Sequence, residues 1–336
     1  MSTVRATSEK HGQTNGMPHS YRVPDPGCYV PAVTFFDPQT DKLDLDSQAR
    51  YYAYLATTGL KGIVVLGTNA ETFLLTREER KALVRTARKA VPPGYPIIAG
   101  VGAHSTAQAL EYISDAHDAG ADFLLLLPCA YFAKQTTSVV VLDFFAQVCA
   151  ESPLPIIVYN FPGVCNGLDM DSDLITAIAR QSEKVVGVKL TCGSVGKISR
   201  LAATFSATRF AIFGGQSDFL IGGLAVGSAG CIAAFANIFP SAVARLYTMW
   251  TEGNHLQALK MQHALSLAEA PTKAGIASTK YAAAIYTAPL AGIEEAEAIL
   301  RPRRPYLEPS MDSKEKIRQI MDPARWLEED AASRLK

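Results

Sequence analysis

From Cys28 onward the chain alternates short runs rich in Val and Ile with longer segments in which apolar residues recur every three or four positions. The first pattern predicts buried strands and the second amphipathic helices. Eight runs qualify as strands, at residues 29–34, 62–66, 97–101, 123–127, 156–159, 185–189, 210–213 and 231–234. Their near-continuous apolar character suits a parallel sheet covered on both faces. Eight such units in about 220 residues fit a closed (β/α)8 TIM barrel. The alternative, an open doubly wound sheet, asks for a glycine-rich phosphate turn after the first strand, where Phe35-Phe36-Asp37-Pro38 stands instead.

Helix boundaries support the same count. Thr76 with Glu79 spells a capping box, Ser105 and Asp171 are placed to cap the next helices, and Gly59 and Gly120 follow helices as terminators. After Trp250 strand signals stop, and residues 256–286, 294–300 and 314–334 predict helices separated by Pro289, Gly292 and the proline-rich stretch 302–309. The organisation expected is an N-terminal disordered arm (1–27), a barrel (28–250) and a C-terminal helical extension (251–336).

Composition narrows the function classes. With 336 residues, 48% apolar side chains and a mean hydropathy of +0.09, the chain can bury a large core. Lys plus Arg equal Asp plus Glu at 32 each, so no one-signed field is available for nucleic acid or an anionic membrane. Residues 219–244 carry no charge and are long enough to span a bilayer, but Gly222-Gly223, Gly227, Gly230 and Pro240 divide them into helix, turn, buried strand and next helix. Six scattered cysteines without a C-x-x-C pair suggest reduced thiols, and the histidines show no metal-binding spacing. Residues 1–27 lack the apolar core of a secretory signal. Arg5 and Lys10 with few acids have an organellar flavour, yet the segment reads as a disordered arm of a cytoplasmic protein.

Candidate chemistry centres on Lys189, which closes the run Val185-Val186-Gly187-Val188. On its own segment it is equally a strand-end lysine reaching for solvent. In a barrel, however, active sites form at the C-terminal strand ends. There an ammonium starved of water favours the free amine, a nucleophile toward carbonyls. The same end gathers Thr68 and Asn69, Tyr131, Tyr159, Gly215, Gln216, Ser217 and Ile232. An amine that adds to a 2-oxo acid yields an imine able to accept electrons as a C3–C4 bond breaks, and so needs no metal or other cofactor. Tyr159 is the proton carrier this route requires. The Thr68 hydroxyl and the N–H groups of the Thr68-Asn69 turn supply donors for the substrate carboxylate. Two other readings stand beside this one: a catalytically silent binding barrel, and a phosphosugar enzyme gripping phosphate at Gly214-Gly215 and the turn near Gly230.

Three motifs then carry a family resemblance: Gly67-Thr68-Asn69-Ala70-Glu71, Tyr159-Asn160-Phe161-Pro162-Gly163 and Gly187-Val188-Lys189. In this order they resemble the class I pyruvate-dependent aldolases of the dihydrodipicolinate synthase and N-acetylneuraminate lyase type, over the span from Gly27 to the C-terminal helices. The resemblance implies Lys189 as Schiff-base lysine, Tyr159 as proton relay, and Thr68 and Asn69 as carboxylate binders. It also implies Tyr131 as the tyrosine that completes a relay in a neighbouring subunit, and a tetramer assembled from two dimers. By position, Gly215, Gln216 and Ser217 bind the hydroxyl-bearing tail and Ile232 packs on the pyruvate carbons; a slip of one residue moves the polar contacts to Asp218. Departures narrow the substrate. Gly163-Val164-Cys165-Asn166 lacks the arginine of dihydrodipicolinate synthases, and Leu190-Thr191-Cys192 lacks the acidic residue of neuraminate lyases. Thr34-Phe35-Phe36-Asp37-Pro38, Asp169-Met170-Asp171 and Lys189-Leu190-Thr191-Cys192 are most similar to fungal 2-keto-3-deoxy sugar-acid aldolases, whose small-molecule substrate is a 2-oxo-3-deoxy hexonate. The 4-hydroxy-2-oxoglutarate aldolases compete, but their second carboxylate calls for a cation not found near these motifs.

Overall fold

Eight parallel strands pair in chain order and close on themselves: β1 (Gly27–Pro31), β2 (Gly62–Val65), β3 (Ile97–Gly100), β4 (Phe123–Leu126), β5 (Ile156–Asn160), β6 (Val185–Leu190), β7 (Ala211–Gly214) and β8 (Gly230–Ile232). The computed structural model describes residues 21–335. Helices α1 (Leu45–Leu55), α2 (Arg77–Ala90), α3 (Thr106–Asp118), α4 (Ser138–Glu151), α5 (Ser172–Gln181), α6 (Val195–Thr204), α7 (Leu220–Leu224) and α8 (Pro240–Thr251) follow the strands one for one. This is a TIM barrel. Alternation along each strand divides the apolar residues into two cores. Tyr29, Val64, Phe123, Ile157, Phe213 and Ile232 belong to the set that fills the barrel, while a larger set lies between strands and helices.

The strand expectations hold in number and order but slip at the closure. β1 starts at Gly27 and ends at Pro31, and β8 runs from Gly230 to Ile232. Gly27 and Gly230 are register partners with φ of +146° and +140°, and a Cβ on Gly230 would lie 1.9 Å from the Gly27 carbonyl oxygen. Only glycine closes the barrel here. A hydrophobic pattern does not count glycine as strand, so both starts were set too late. Thr34, read as strand, lies beyond β1 and donates its hydroxyl to the Ala70 carbonyl at 2.9 Å.

The capping signals form as read. Thr76 and Glu79 exchange both bonds of the capping box, Ser105 and Asp171 accept from Gln108 and Leu174 N–H, and Gly59 and Gly120 adopt φ of +83° and +93°. The uncharged stretch becomes α7, β8, a short 3₁₀ turn and the start of α8, and no helix among the described residues is long and apolar enough to cross a membrane.

Beyond the barrel lie α9 (His255–Glu269), α10 (Ile276–Tyr286), α11 (Ala296–Ile299), α12 (Met311–Met321) and α13 (Arg325–Ser333). The single helix expected over 256–286 is broken at Pro271 and Gly275 (φ +124°), and that over 314–334 at Pro323, because proline lacks the donor a helix interior needs. These helices pack back on the barrel. Glu328 of α13 accepts from Ser241 and Ala242 N–H at 3.0 and 2.7 Å, satisfying the first turn of α8. At the opposite end, Arg22 stacks over Phe123 and Tyr29 donates to the Asp25 carbonyl, so the chain entering β1 lies across the barrel floor. The expected disordered arm falls, up to residue 20, outside the described residues.

Candidate active site

Lys189 is one residue short of the end of β6. Register pairs it with Tyr159 on β5 and Phe213 on β7, both of which face the barrel interior, so its side chain points inward near the C-terminal mouth. It is 2% exposed. Its Nζ donates to the Tyr159 hydroxyl at 3.2 Å and lies 4.3 Å from the ring centroid. The same hydroxyl is 3.3 Å from Thr68 Oγ1. An amine, a phenol and an aliphatic hydroxyl from three strand ends thus form one hydrogen-bonded chain at the bottom of the mouth.

Each member is fixed by local structure. Thr68 opens a 3₁₀ turn, Thr68–Ala70, whose first N–H groups have no carbonyl within the turn to bond. Asn69, half-buried beside it, makes no side-chain hydrogen bond among the described residues. The turn follows Leu66 at φ +63°, and Gly100 lets it approach, because a Cβ there would lie 1.9 Å from the Leu66 oxygen. At the end of β5, Asn160 donates to Asp169 Oδ1 at 2.7 Å and accepts from Met170 N–H, while Lys197 of α6 donates to the same Asp169 oxygen at 2.6 Å. Burial raises the Asp169 carboxyl, but the bonds from Asn160 and Lys197 outweigh it and hold the group below the ordinary range. This ties the end of β5 to α6. Asp169 was visible in the sequence as part of a motif, but its contacts cross 28 residues and leave no local signal.

After β7 the polar residues part company. Gly215 lies against Thr191, whose Oγ1 and Cα would be 2.1 and 2.5 Å from an added Cβ, so its role is close approach. Gln216 is half-buried, with no side-chain hydrogen bond among the described residues. Ser217 differs from expectation. It is fully buried, its hydroxyl donates to Glu269 Oε2 at 2.5 Å and its carbonyl accepts from Gln262, so it anchors the loop to α9 instead of facing a substrate tail. Lys273 reaches both Asp218 (2.9 Å) and Glu269 (3.3 Å). Thr191 Oγ1 and Asp218 Oδ1 are buried polar atoms without a partner among the described residues. In the sequence Thr191 stands only within the motif Lys189-Leu190-Thr191-Cys192, with no site role of its own. Ile232, fully buried at the end of β8, contributes to the barrel interior.

Tyr131 stands apart. It is 69% exposed on the loop after β4, held by Asn166, whose Nδ2 donates to the Ala130 and Tyr131 carbonyls. No hydrogen bond or ring contact among the described residues joins it to Tyr159. It belongs to an aromatic ladder in which Phe73 stacks on His104, His104 meets Tyr131 and Tyr131 meets Phe132. Burial holds His104 below its ordinary value and so favours the neutral ring. Beside Thr68 opens a cleft of about 580 Å³ walled by Phe73, Phe161, Val164, Tyr306 and Leu307. Among the described residues no group of three His, Cys, Asp or Glu side chains is arranged to hold a metal ion, and all six cysteines are free thiols.

Residues 26–324 match the model of the dihydrodipicolinate synthetase family. A Coccidioides immitis (strain RS) protein named as a mitochondrial 4-hydroxy-2-oxoglutarate aldolase is 63% identical over 300 residues, which cover 89% of this chain and 96% of that one. The L-threo-3-deoxy-hexylosonate aldolase of Aspergillus niger is 36% identical over 311 residues, 82% of this chain and 92% of that one. A crystal structure of a dihydrodipicolinate synthase family protein from Coccidioides immitis matches with a TM-score of 0.87 at 59% identity, covering 92% of this chain and 98% of that one. The cytoplasmic location expected from composition is overturned by the first of these relatives, which is mitochondrial by name.

Proposed function

This chain belongs to the dihydrodipicolinate synthetase family, and on that premise we propose that it is a class I aldolase, a lyase that cleaves a 2-oxo-3-deoxy-4-hydroxy acid to pyruvate and an aldehyde. One observation carries the proposal: the buried Lys189 amine bonded to Tyr159, and Tyr159 to Thr68, at the mouth of the barrel. The amine adds to the C2 ketone, and loss of water from the carbinolamine leaves a protonated imine. Tyr159 ferries the proton to the departing hydroxyl and later takes the proton of the C4 hydroxyl. As that proton leaves, the C3–C4 bonding pair moves into the imine, the aldehyde departs and an enamine of pyruvate remains. Protonation at C3 and addition of water release pyruvate and restore the amine. The imine is the electron sink, so the route calls for no further cofactor. Thr68 and the turn N–H groups of Thr68 and Asn69 bind the carboxylate.

The mouth favours a polyhydroxylated tail over a second carboxylate. Gln216, Asp218 and Thr191 offer polar groups, whereas Lys273, the cation that reaches the loop after β7, is already engaged by Asp218 and Glu269. A 3-deoxy sugar acid is therefore the first substrate to test, with 4-hydroxy-2-oxoglutarate, for which the Coccidioides relative is named, as the second. The decisive test is borohydride reduction in the presence of pyruvate followed by mass measurement. Wild type gains a pyruvate-derived adduct and Lys189→Ala does not; an adduct on the variant refutes the assignment. Coupled pyruvate release over a panel of 2-oxo-4-hydroxy acids then ranks the two substrates.

The aromatic ladder through Phe73, His104, Tyr131 and Phe132 supports self-association, with Tyr131 reaching a neighbouring site and two dimers forming a tetramer. Light scattering tests this: Tyr131→Asp lowers the mass and the turnover together, and an unchanged mass refutes it. A mitochondrial location goes with the proposal, and cell fractionation checks it.

A further inference from the structure

Glu71 is the hinge between two 3₁₀ turns, Thr68–Ala70 before it and Thr72–Leu74 after it, at φ +56° and ψ +38°. A glutamate occupies this left-handed region only when its surroundings hold it there. Three bonds do so. Lys280 of α10, with a side chain 0% exposed, donates Nζ to Glu71 Oε2 at 2.6 Å. The Arg303 N–H donates to Oε1 at 2.7 Å. From the other side Arg80 of α2, itself buried, donates to the Thr72 carbonyl at 3.1 Å and to the Gly100 carbonyl at 2.8 Å. The Arg303 guanidinium is fixed in turn by Glu79 and Asp41.

Lys280 is a fully buried amine, and the aldol chemistry has no use for it. It lies 4.6 Å from the Phe36 ring centroid, and burial pulls its pKa down to about 8 against the raising effect of Glu71. A buried ion pair contributes little net stability over an apolar pair of the same shape, and its best-attested use is to fix register. The register here is that of the turn carrying Thr68 and Asn69, whose distance to Tyr159 decides whether the carboxylate subsite faces Lys189.

We propose that Lys280 and Glu71 are positioning residues, through which the C-terminal helices hold the Thr68-Asn69 turn in place for the carboxylate of a 2-oxo acid. The inference rests on the aldolase reading above. It is tested on the full-length protein by following borohydride-trapped adduct against pyruvate concentration in wild type, Lys280→Met, Glu71→Gln and Lys280→Arg, with thermal melts of each. In Lys280→Met and Glu71→Gln the half-saturating pyruvate concentration rises about tenfold to a hundredfold, the worth of a hydrogen bond to a charged group, while the trapping rate at saturation stays within about threefold of wild type. Lys280→Arg restores most of the lost affinity. If Lys280→Met does not fold, Glu71→Gln carries the test, because its amide oxygen still accepts from Arg303. Unchanged half-saturation in the folded variants overturns the proposal, as does an equal fall in saturated rate and affinity alongside a lowered melting temperature. If wild type forms no adduct, the aldolase reading itself is what has failed.

Discussion

Removing the Tyr159 hydroxyl separates catalysis from packing more cleanly than any other change in the site. Tyr159→Phe keeps the ring, and with it the contact to Lys189 Nζ 4.3 Å from the centroid. It deletes two hydrogen bonds, one from Lys189 at 3.2 Å and one shared with Thr68 at 3.3 Å. At about 0.5–1.5 kcal/mol net each, these amount to about 1–3 kcal/mol of stability, which a barrel of this size tolerates. The loss in rate is larger. A positioned proton carrier is worth about 10²–10⁴ in rate, or about 2.7–5.5 kcal/mol on the barrier. Turnover measured by coupled pyruvate release therefore falls about a hundredfold or more, while the circular dichroism spectrum is unchanged. Thr68→Val, which leaves the Lys189–Tyr159 bond intact, raises KM more than it lowers kcat. A Tyr159→Phe enzyme with turnover within about threefold of wild type would refute the relay.

Other outcomes follow from packing and charge. Gly215→Ala drives a Cβ into Thr191 and costs about 1–3 kcal/mol, read as a lowered melting temperature with loss of activity; a melt equal to wild type contradicts the contact. Burial pushes the Glu269 carboxyl up, so the folded protein keeps this proton where the unfolded chain has lost it, and stability falls as pH rises above the ordinary value of 4.5. Glu269→Gln flattens that part of the curve in melts from pH 4 to 8, and an unaltered slope refutes the assignment. Half-saturating pyruvate rises above pH about 8 as Lys280, faced by Glu71, Asp41 and Arg303, loses its proton. In Lys280→Arg that rise disappears, and a rise that persists locates it elsewhere.

The barrel was legible because each strand is buried on both faces and each helix on one, so the two hydrophobic periods stand out along the chain. Lys189, Tyr159 and Thr68 were legible too, since the end of a strand is a position that sequence order fixes. What escaped depends on contacts between distant segments. Nothing around Ser217 says that its hydroxyl belongs to Glu269, 52 residues later, and nothing around Glu71 announces Lys280, 209 residues away. The strand starts at Gly27 and Gly230 escaped for the opposite reason: the residue that makes closure possible has no side chain to enter a hydrophobic pattern.

The closure also sets an order of events during synthesis. Cys28 on β1 has its register partner Cys231 on β8, 203 residues further on, and the N–H groups at the start of α8 wait for Glu328, 86 and 87 residues beyond them. A nascent chain leaving the ribosome thus carries an open curved sheet with two bare edges, β1 and the newest strand, until the eighth strand has emerged. Glu328 lies beyond all eight strands, so the last of these hydrogen-bonding partners follows the whole sheet out of the ribosome, and until then the half-built cylinder needs shielding from its neighbours.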